Sequence, residues 1–180
     1  EVVERPSSVV KELVENAIDA KATAVTVEIK EGGISFIRIT DNGCGIEKKQ
    51  VPIAFLRHST SKIRSVEDLL SIHSLGFRGE ALSSIAAVAQ VELITKTYEE
   101  LTGTRYVIEG SKEIENEEIG APEGTTFIVR NLFYNVPARR KFLKTAQTEA
   151  GYISDLMERL ALSHPDVSFK FISNGQTKMH

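Results

Sequence analysis

A single cysteine, Cys44, in 180 residues excludes an internal disulfide framework and fits a reducing compartment. No apolar run approaches the roughly 18 to 20 residues that a membrane span needs, and the first residues do not read as a signal peptide, so no membrane partner is expected. Whole-chain basicity is missing as well. The formal net charge of −3 gives no global signal for nucleic acid. His58, His73, His164 and His180 lack the spacing of metal ligands, which argues against zinc. There is no internal repeat. What remains is an ordinary globular composition, 41 % hydrophobic and 26 % charged, with enough chain for one substantial core. The sequence opens without Met and is expected to be a fragment.

Periodicity places the elements in an α+β order. Pro6 suits a first helical turn, and Val10, Leu13, Val14, Ala17 and Ile18 follow at helical spacing. Val25, Val27 and Ile29 alternate with Thr26, Glu28 and Lys30 in a half-buried strand; after Gly32-Gly33, Ile37 and Ile39 do the same. Helices are predicted over 47–56, 66–72, 80–89 and 149–162, the last halted by Pro165. Further strands are predicted over 91–96, 105–108, 125–130 and 167–172, and the acidic stretch 113–118 reads as a solvated loop or edge strand.

Three places carry chemistry. Glu12 and Asn16 are four residues apart, hence one turn apart on one helix face. A carboxylate there can take a proton from water, and an amide oxygen beside it can ligate a hard cation such as Mg²⁺. The second place is Asp41-Asn42-Gly43-Cys44-Gly45. Alternation puts Asp41 on the face of Ile37 and Ile39, where a carboxylate is costly unless hydrogen bonds reach it. Asn42-Gly43 alone would read as a hairpin turn, but Ile46 and a helical pattern follow it. The third place is Leu75-Gly76-Phe77-Arg78-Gly79-Glu80, glycines leading into a helix whose first N–H groups form an anion site or merely a capped hinge. It is not a P-loop, since the Gly-Lys-Ser/Thr ending is absent. Upstream, Thr60 and Lys62 lie in a hydroxyl-rich stretch, and Lys62 can meet phosphate or simply be solvated. Arg139, Arg140 and Lys141, near Tyr134 and Phe142, read equally as a phosphate-binding patch or as a solvated helix start with aromatic core anchors.

Glu-Leu-Val-Glu-Asn-Ala-Ile-Asp-Ala, Asp-Asn-Gly-Cys-Gly-Ile, Arg-His-Ser-Thr-Ser-Lys-Ile and Leu-Gly-Phe-Arg-Gly-Glu-Ala-Leu together resemble the ATPase domain of the MutL mismatch-repair proteins, most of all the bacterial ones. These belong to the GHKL superfamily with gyrase B, heat-shock chaperones and histidine kinases. Gly124-Thr125-Thr126 and the stretch from Asn131 to Leu143 are similar to MutL too, so the resemblance covers essentially the whole chain.

The resemblance implies one GHKL-type domain over 1–180, a Bergerat-type two-layer α/β sandwich whose mixed, largely antiparallel sheet carries helices on one face. It implies a Mg²⁺-dependent ATPase with Glu12 as general base and Asn16 as Mg²⁺ ligand. Asp41 would accept the adenine amino group, with Gly43, Gly45 and Thr126 lining the pocket. Thr60 to Leu82 would form the ATP lid, with Thr60, Lys62, Leu75, Gly76, Phe77, Arg78 and Gly79 at the phosphates. Expected partners are ATP, DNA (with Arg139, Arg140 and Lys141 as candidates), a MutS-type mismatch-recognition protein and a second copy of the full-length protein. The expected place is the cytoplasm, at the nucleoid, in a bacterium, or the nucleus in a eukaryote. The family's first helix and second α/β domain lie outside this sequence, so the fragment alone is expected to be a weak or inactive ATPase. Lys21 stands where the family often has glycine, and a positive φ there would strain it. The rival expectations are a topoisomerase- or chaperone-type ATPase and a non-hydrolysing DNA- or partner-binding module.

Overall fold

The computed structural model describes residues 3–56 and 80–180. Helix α1 (Pro6–Asp19) leads into β1 (Ala24–Lys30), a 3₁₀ turn (Glu31–Gly33) and β2 (Phe36–Asp41). A second 3₁₀ turn (Lys48–Gln50) runs into the four-residue α2 (Val51–Ala54). After the undescribed residues come α3 (Ala81–Val88) and the strands β3 (Gln90–Lys96), β4 (Gly103–Glu109), β5 (Lys112–Ile119) and β6 (Gly124–Arg130). The chain closes with α4 (Pro137–Lys141), α5 (Ala146–Ser163) and the strands β7 (Ser168–Ser173) and β8 (Gln176–Met179).

The eight strands form one sheet in the order β5-β4-β3-β6-β2-β1-β7-β8. Among the described residues β1 and β7 pair in parallel and the other neighbours are antiparallel. Register explains why one face is covered. Ile39 pairs with Val27 and Phe127, Phe127 with Leu93, and Leu93 with Tyr106, and all of them are buried. On the same face, Val27 pairs with the buried Phe171. The intervening residues form an open polar face, where Arg38 pairs with Glu28 and Arg130 with Glu92. Arg105 there reaches Glu92 at 2.7 Å, Glu115 at 2.9 Å and Glu117 at 3.2 Å. The edge strand β5 is exposed almost throughout, as its acidic sequence requires.

Helix α1 lies over the covered face with Val9, Val10, Leu13, Val14 and Ala17 buried. Helix α5 packs beside it and over the first 3₁₀ turn. Thr145 caps α5, accepting the Thr148 amide at 3.2 Å.

The structure corrects several details of the sequence reading. The helix predicted over 47–56 is a 3₁₀ turn and one helical turn, because Glu47 is extended and Pro52 suits only a helix start. The strand predicted to end the chain is followed by β8, through a turn in which Asn174 and Gly175 have φ of 49° and 83°. Positive φ at both positions is the signature of a tight hairpin. Asn42-Gly43, by contrast, makes no hairpin. The Asn42 side-chain oxygen accepts the Thr23 and Ala24 amides at 2.8 and 3.0 Å, tying the end of β2 to the start of β1. The helix predicted over 66–72 lies outside the described residues.

Lys21 does adopt a positive φ, 66°, just after α1. A side chain in that conformation costs roughly 1–2 kcal/mol, more than glycine's extra chain entropy of about 0.5–1 kcal/mol. Lys21→Gly should therefore raise stability by up to about 1 kcal/mol, read as a higher urea midpoint with an unchanged slope.

Candidate nucleotide-binding site

The site forms where α1 crosses the end of β2. Asn16, Ala17 and Ala20 from α1 line one cavity with Asp41, Gly45 and Ile46 and, from β6, Thr125 and Phe127. The loop after β2 lies directly on the end of α1. The Cys44 amide donates to the Ala20 carbonyl at 2.9 Å, and a Cβ on Gly43 would stand 2.7 Å from that oxygen. Glycine is thus required at Gly43 by space. At Gly45 both space and conformation require it: φ is 74°, and a Cβ would come 2.1 Å from the Lys96 carbonyl oxygen.

Asp41 is 9 % exposed, at the end of a face that is otherwise apolar. Burial pushes its carboxyl up to about 6, against hydrogen bonds from the Gly43 and Thr125 amides that favour the charged form. The Gly43 amide lies 2.7 Å from Oδ1. One carboxylate oxygen is therefore held by backbone, and the group lines the cavity.

Asn16 is the second unusual group. It is 7 % exposed, and neither Oδ1 nor Nδ2 has a partner among the described residues. A buried primary amide without partners is expensive, and it is held here by the packing of Leu13, Val14 and Ala17 around it on α1. Such an amide suits a ligand that brings its own donors, acceptors or cation. Glu12, half-buried, stands one turn earlier on the same helix. Among the described residues no group of three His, Cys, Asp or Glu side chains could cage a metal. That is compatible with Mg²⁺, which is commonly held by one or two protein groups and substrate phosphates. Two wider depressions, about 400 Å³ around Arg5 and Arg159 and about 540 Å³ around Cys44 and Glu99, are not lined by any such buried, partnerless side chain.

Of the residues singled out in the sequence, Asn16, Asp41 and Gly45 come together in the cavity, with Gly43 in the adjoining loop and Glu12 next to them on α1. Thr126 does not join them. It sits on the opposite, open face of the sheet, its hydroxyl donating to Thr40 at 3.3 Å, while Thr125 pairs with Asp41 and lines the cavity. The alternation of Thr125, Phe127 and Val129 as the buried set carries this signal. Thr60, Lys62, Leu75, Gly76, Phe77, Arg78 and Gly79 lie outside the described residues. Arg139, Arg140 and Lys141 are on α4, which buries no residue. Phe142 beside them is 78 % exposed and Tyr134 39 %, so neither is a core anchor; the buried Leu132 and Phe133 hold that segment.

The raised Asp41 carboxyl sets a pH dependence. A folded value of about 6 against the ordinary 3.8 means that this group favours folding below pH 4, and that this contribution is lost as pH rises through 6. Asp41→Asn should therefore stabilise the ligand-free protein at pH 7, by up to about 3 kcal/mol and by nothing at pH 3.5, in urea titrations. Nucleotide affinity should move the other way in the parent. At pH 5 only about a tenth of the carboxyl is ionised, so affinity should be about tenfold weaker than at pH 7.5, and Asp41→Asn should remove that dependence in calorimetry.

Residues 4–127 match the model of the histidine kinase-, DNA gyrase B- and HSP90-like ATPase family. Over 180 residues the chain is 83 % identical to the DNA mismatch repair protein MutL of Agathobacter rectalis, covering all of this chain and 28 % of that protein. It is 56 % identical over 178 residues to MutL of Caldanaerobacter subterraneus subsp. tengcongensis, covering 99 % of this chain and 30 % of the relative. The chain thus spans under a third of these relatives. The solved ATPase domain of Aquifex aeolicus MutL complexed with ADP superposes with a TM-score of 0.79 at 36 % identity, over 99 % of this chain and 63 % of that one. The chain belongs to the histidine kinase-, DNA gyrase B- and HSP90-like ATPase family, and within it resembles the N-terminal ATPase domains of the MutL proteins.

Proposed function

We propose that this domain binds and hydrolyses ATP as the nucleotide switch of a MutL-type mismatch-repair protein. The observation that carries the reading is the buried Asn16 amide, without a hydrogen-bond partner among the described residues, one turn from Glu12 and sharing a cavity with Asp41. Asp41 accepts the exocyclic amino group of adenine with the carboxylate capacity that the Gly43 and Thr125 amides leave free. Gly43 and Gly45 let the loop backbone approach the base, and Thr125 takes the place that sequence reading gave to Thr126. Asn16 is the protein ligand of Mg²⁺, which when bound neutralises phosphate charge. Glu12 takes the proton from the water that attacks the terminal phosphate, and its position is fixed by the buried face of α1. Support for ATP comes from the family match and from the ADP bound to the Aquifex aeolicus relative.

In the full-length protein this switch works as a dimer in the cytoplasm, with DNA and a MutS-type mismatch-recognition protein as partners. Arg140 and Lys141, exposed on α4 beside the exposed Phe142, and the half-buried Arg139 are the surface we assign to the DNA backbone. The high identity to MutL favours this reading over a topoisomerase or chaperone ATPase.

Chemistry and binding separate by substitution. In the full-length protein, Glu12→Ala should bind ATP with close to parental affinity yet turn over at least roughly 100-fold more slowly. Asn16→Ala should weaken Mg²⁺-dependent ATP binding as well. Parental turnover by Glu12→Ala in a steady-state phosphate-release assay would remove Glu12 from the role of base.

A further inference from the structure

The second half of the loop after β2 hangs from the end of β3. Gly45 packs so closely there that a Cβ on it would stand 2.1 Å from the Lys96 carbonyl oxygen. Beside Lys96, Thr95 is 1 % exposed, and its hydroxyl oxygen accepts the Ile46 amide at 2.9 Å. Just beyond the strand, Glu100 accepts the Lys48 amide at 3.0 Å through Oε2. The Thr97 hydroxyl donates to its other oxygen at 3.0 Å and so fixes the direction of the carboxylate. The first half of the loop is held elsewhere, through Asn42 to β1 and through the Cys44 amide to the end of α1. Gly45 and Ile46 line the nucleotide cavity, whereas Thr95 and Glu100 do not.

A hydroxyl has one proton to give and two lone pairs to offer, and Thr95 uses all three. It donates its proton to the Gly124 carbonyl at 3.0 Å. One lone pair accepts the Ile46 amide. The other accepts the Thr125 hydroxyl, 2.9 Å away, which must be the donor because the Thr95 proton is engaged. The rotor is therefore fixed, and Ile46 is held at a set distance from β6, whose Thr125 and Phe127 form another wall of the cavity. A loop free of these bonds would visit other positions, and affinity would fall by the fraction of time it spends in them.

We propose that Thr95, with Glu100 as a second anchor, is a positioning residue for nucleotide binding: the two hold Gly45 and Ile46 in their places in the cavity before the ligand enters. This rests on the reading of the cavity as the nucleotide site. The test uses the full-length protein and measures ADP affinity by calorimetry, KM and kcat for ATP by phosphate release, and hydrogen exchange of residues 43–50 without nucleotide. Thr95→Val keeps the shape and removes the hydroxyl. ADP affinity should fall roughly three- to tenfold, the scale of one neutral hydrogen bond, and KM should rise in step. Exchange over 43–50 should quicken, and kcat should change less than about twofold, because Glu12 and Asn16 stand on α1. Thr95→Ser brings the hydroxyl back and should restore all of these. Should Thr95→Val fail to fold, Glu100→Ala carries the test. It leaves no buried donor, since Lys48 is exposed, and should weaken ADP roughly two- to fivefold with the same split between KM and kcat. Ile153→Val, which thins the core within α5, should bind ADP like the parent. Parental affinity in Glu100→Ala and a folded Thr95→Val, faster exchange with unchanged affinity, a fall in kcat at constant KM, or equal weakening by Ile153→Val overturns the proposal. If Asp41→Asn binds ADP like the parent, the reading of the cavity fails and the proposal with it. If Asp41→Asn loses ADP while the Thr95 and Glu100 variants bind it like the parent, only the role of the anchors fails.

Discussion

The buried carboxylate of Asp41, at the end of an apolar sheet face, is the constraint on which the site depends. A charged group there must be met by donors, and among the described residues they come from its own following loop and the paired strand β6. Both respond with backbone. The loop turns so that the Gly43 amide points back at Oδ1, and β6 pairs in register so that Thr125 stands beside Asp41. Side chains would obstruct both approaches, which is why Gly43, Gly45 and Gly124 stand at the contacts. The loop is then anchored from outside the site, through Asn42 to β1 and through Ile46 to Thr95.

This arrangement is unfavourable for the protein without ligand. A carboxyl raised to about 6 and a buried amide with no partner among the described residues both work against folding. The remaining structure offsets them. One face of an eight-stranded sheet is closed by α1 and α5 with nearly every inward residue apolar. On the open face the charged residues form linked pairs rather than isolated ones, with Arg105 shared among three glutamates. Each exposed pair is worth little, about 0–1 kcal/mol, so the covered face does most of the offsetting. A ligand that satisfies Asn16 and Asp41 would add its binding energy to stability as well.

How far the sequence could be read depends on how local the governing interaction is. Alternation in β1, β2, β3 and β6 is local, and it placed Asp41 on the covered face correctly. It also held the information that Thr125 and not Thr126 faces the site; the family resemblance, applied residue by residue without that alternation, pointed to the neighbour. The two Asn-Gly pairs show the limit most directly. Asn174-Gly175 makes a tight turn, whereas Asn42-Gly43 does not, because the Asn42 side chain is engaged by amides 18 and 19 residues away. No window as short as a turn contains both partners of that bond. The split of 47–56 has the same character, since the Lys48 amide is taken by Glu100 at 3.0 Å and the Ile46 amide by Thr95. Thr95 itself gives no sequence signal: a threonine in a strand is ordinary, and its importance comes only from the crossing of three segments.

Helix α1 links Asp41 to Asn16 and Glu12 through the core. Its apolar stripe, Val10, Leu13, Val14 and Ala17, is fully packed, and Asn16 and Glu12 lie at the margin of that stripe. The burial of the stripe therefore sets where along the sheet both residues stand. The far end of the same helix carries the Ala20 carbonyl, which receives the Cys44 amide from the loop that holds Asp41. A shift of α1 along its axis would move the amide of Asn16 and the loop around the base together. Protein cores resist such shifts because close-packed side chains leave no room to slide. The spacing between Asp41 and the pair Asn16 and Glu12 is thus fixed by apolar packing.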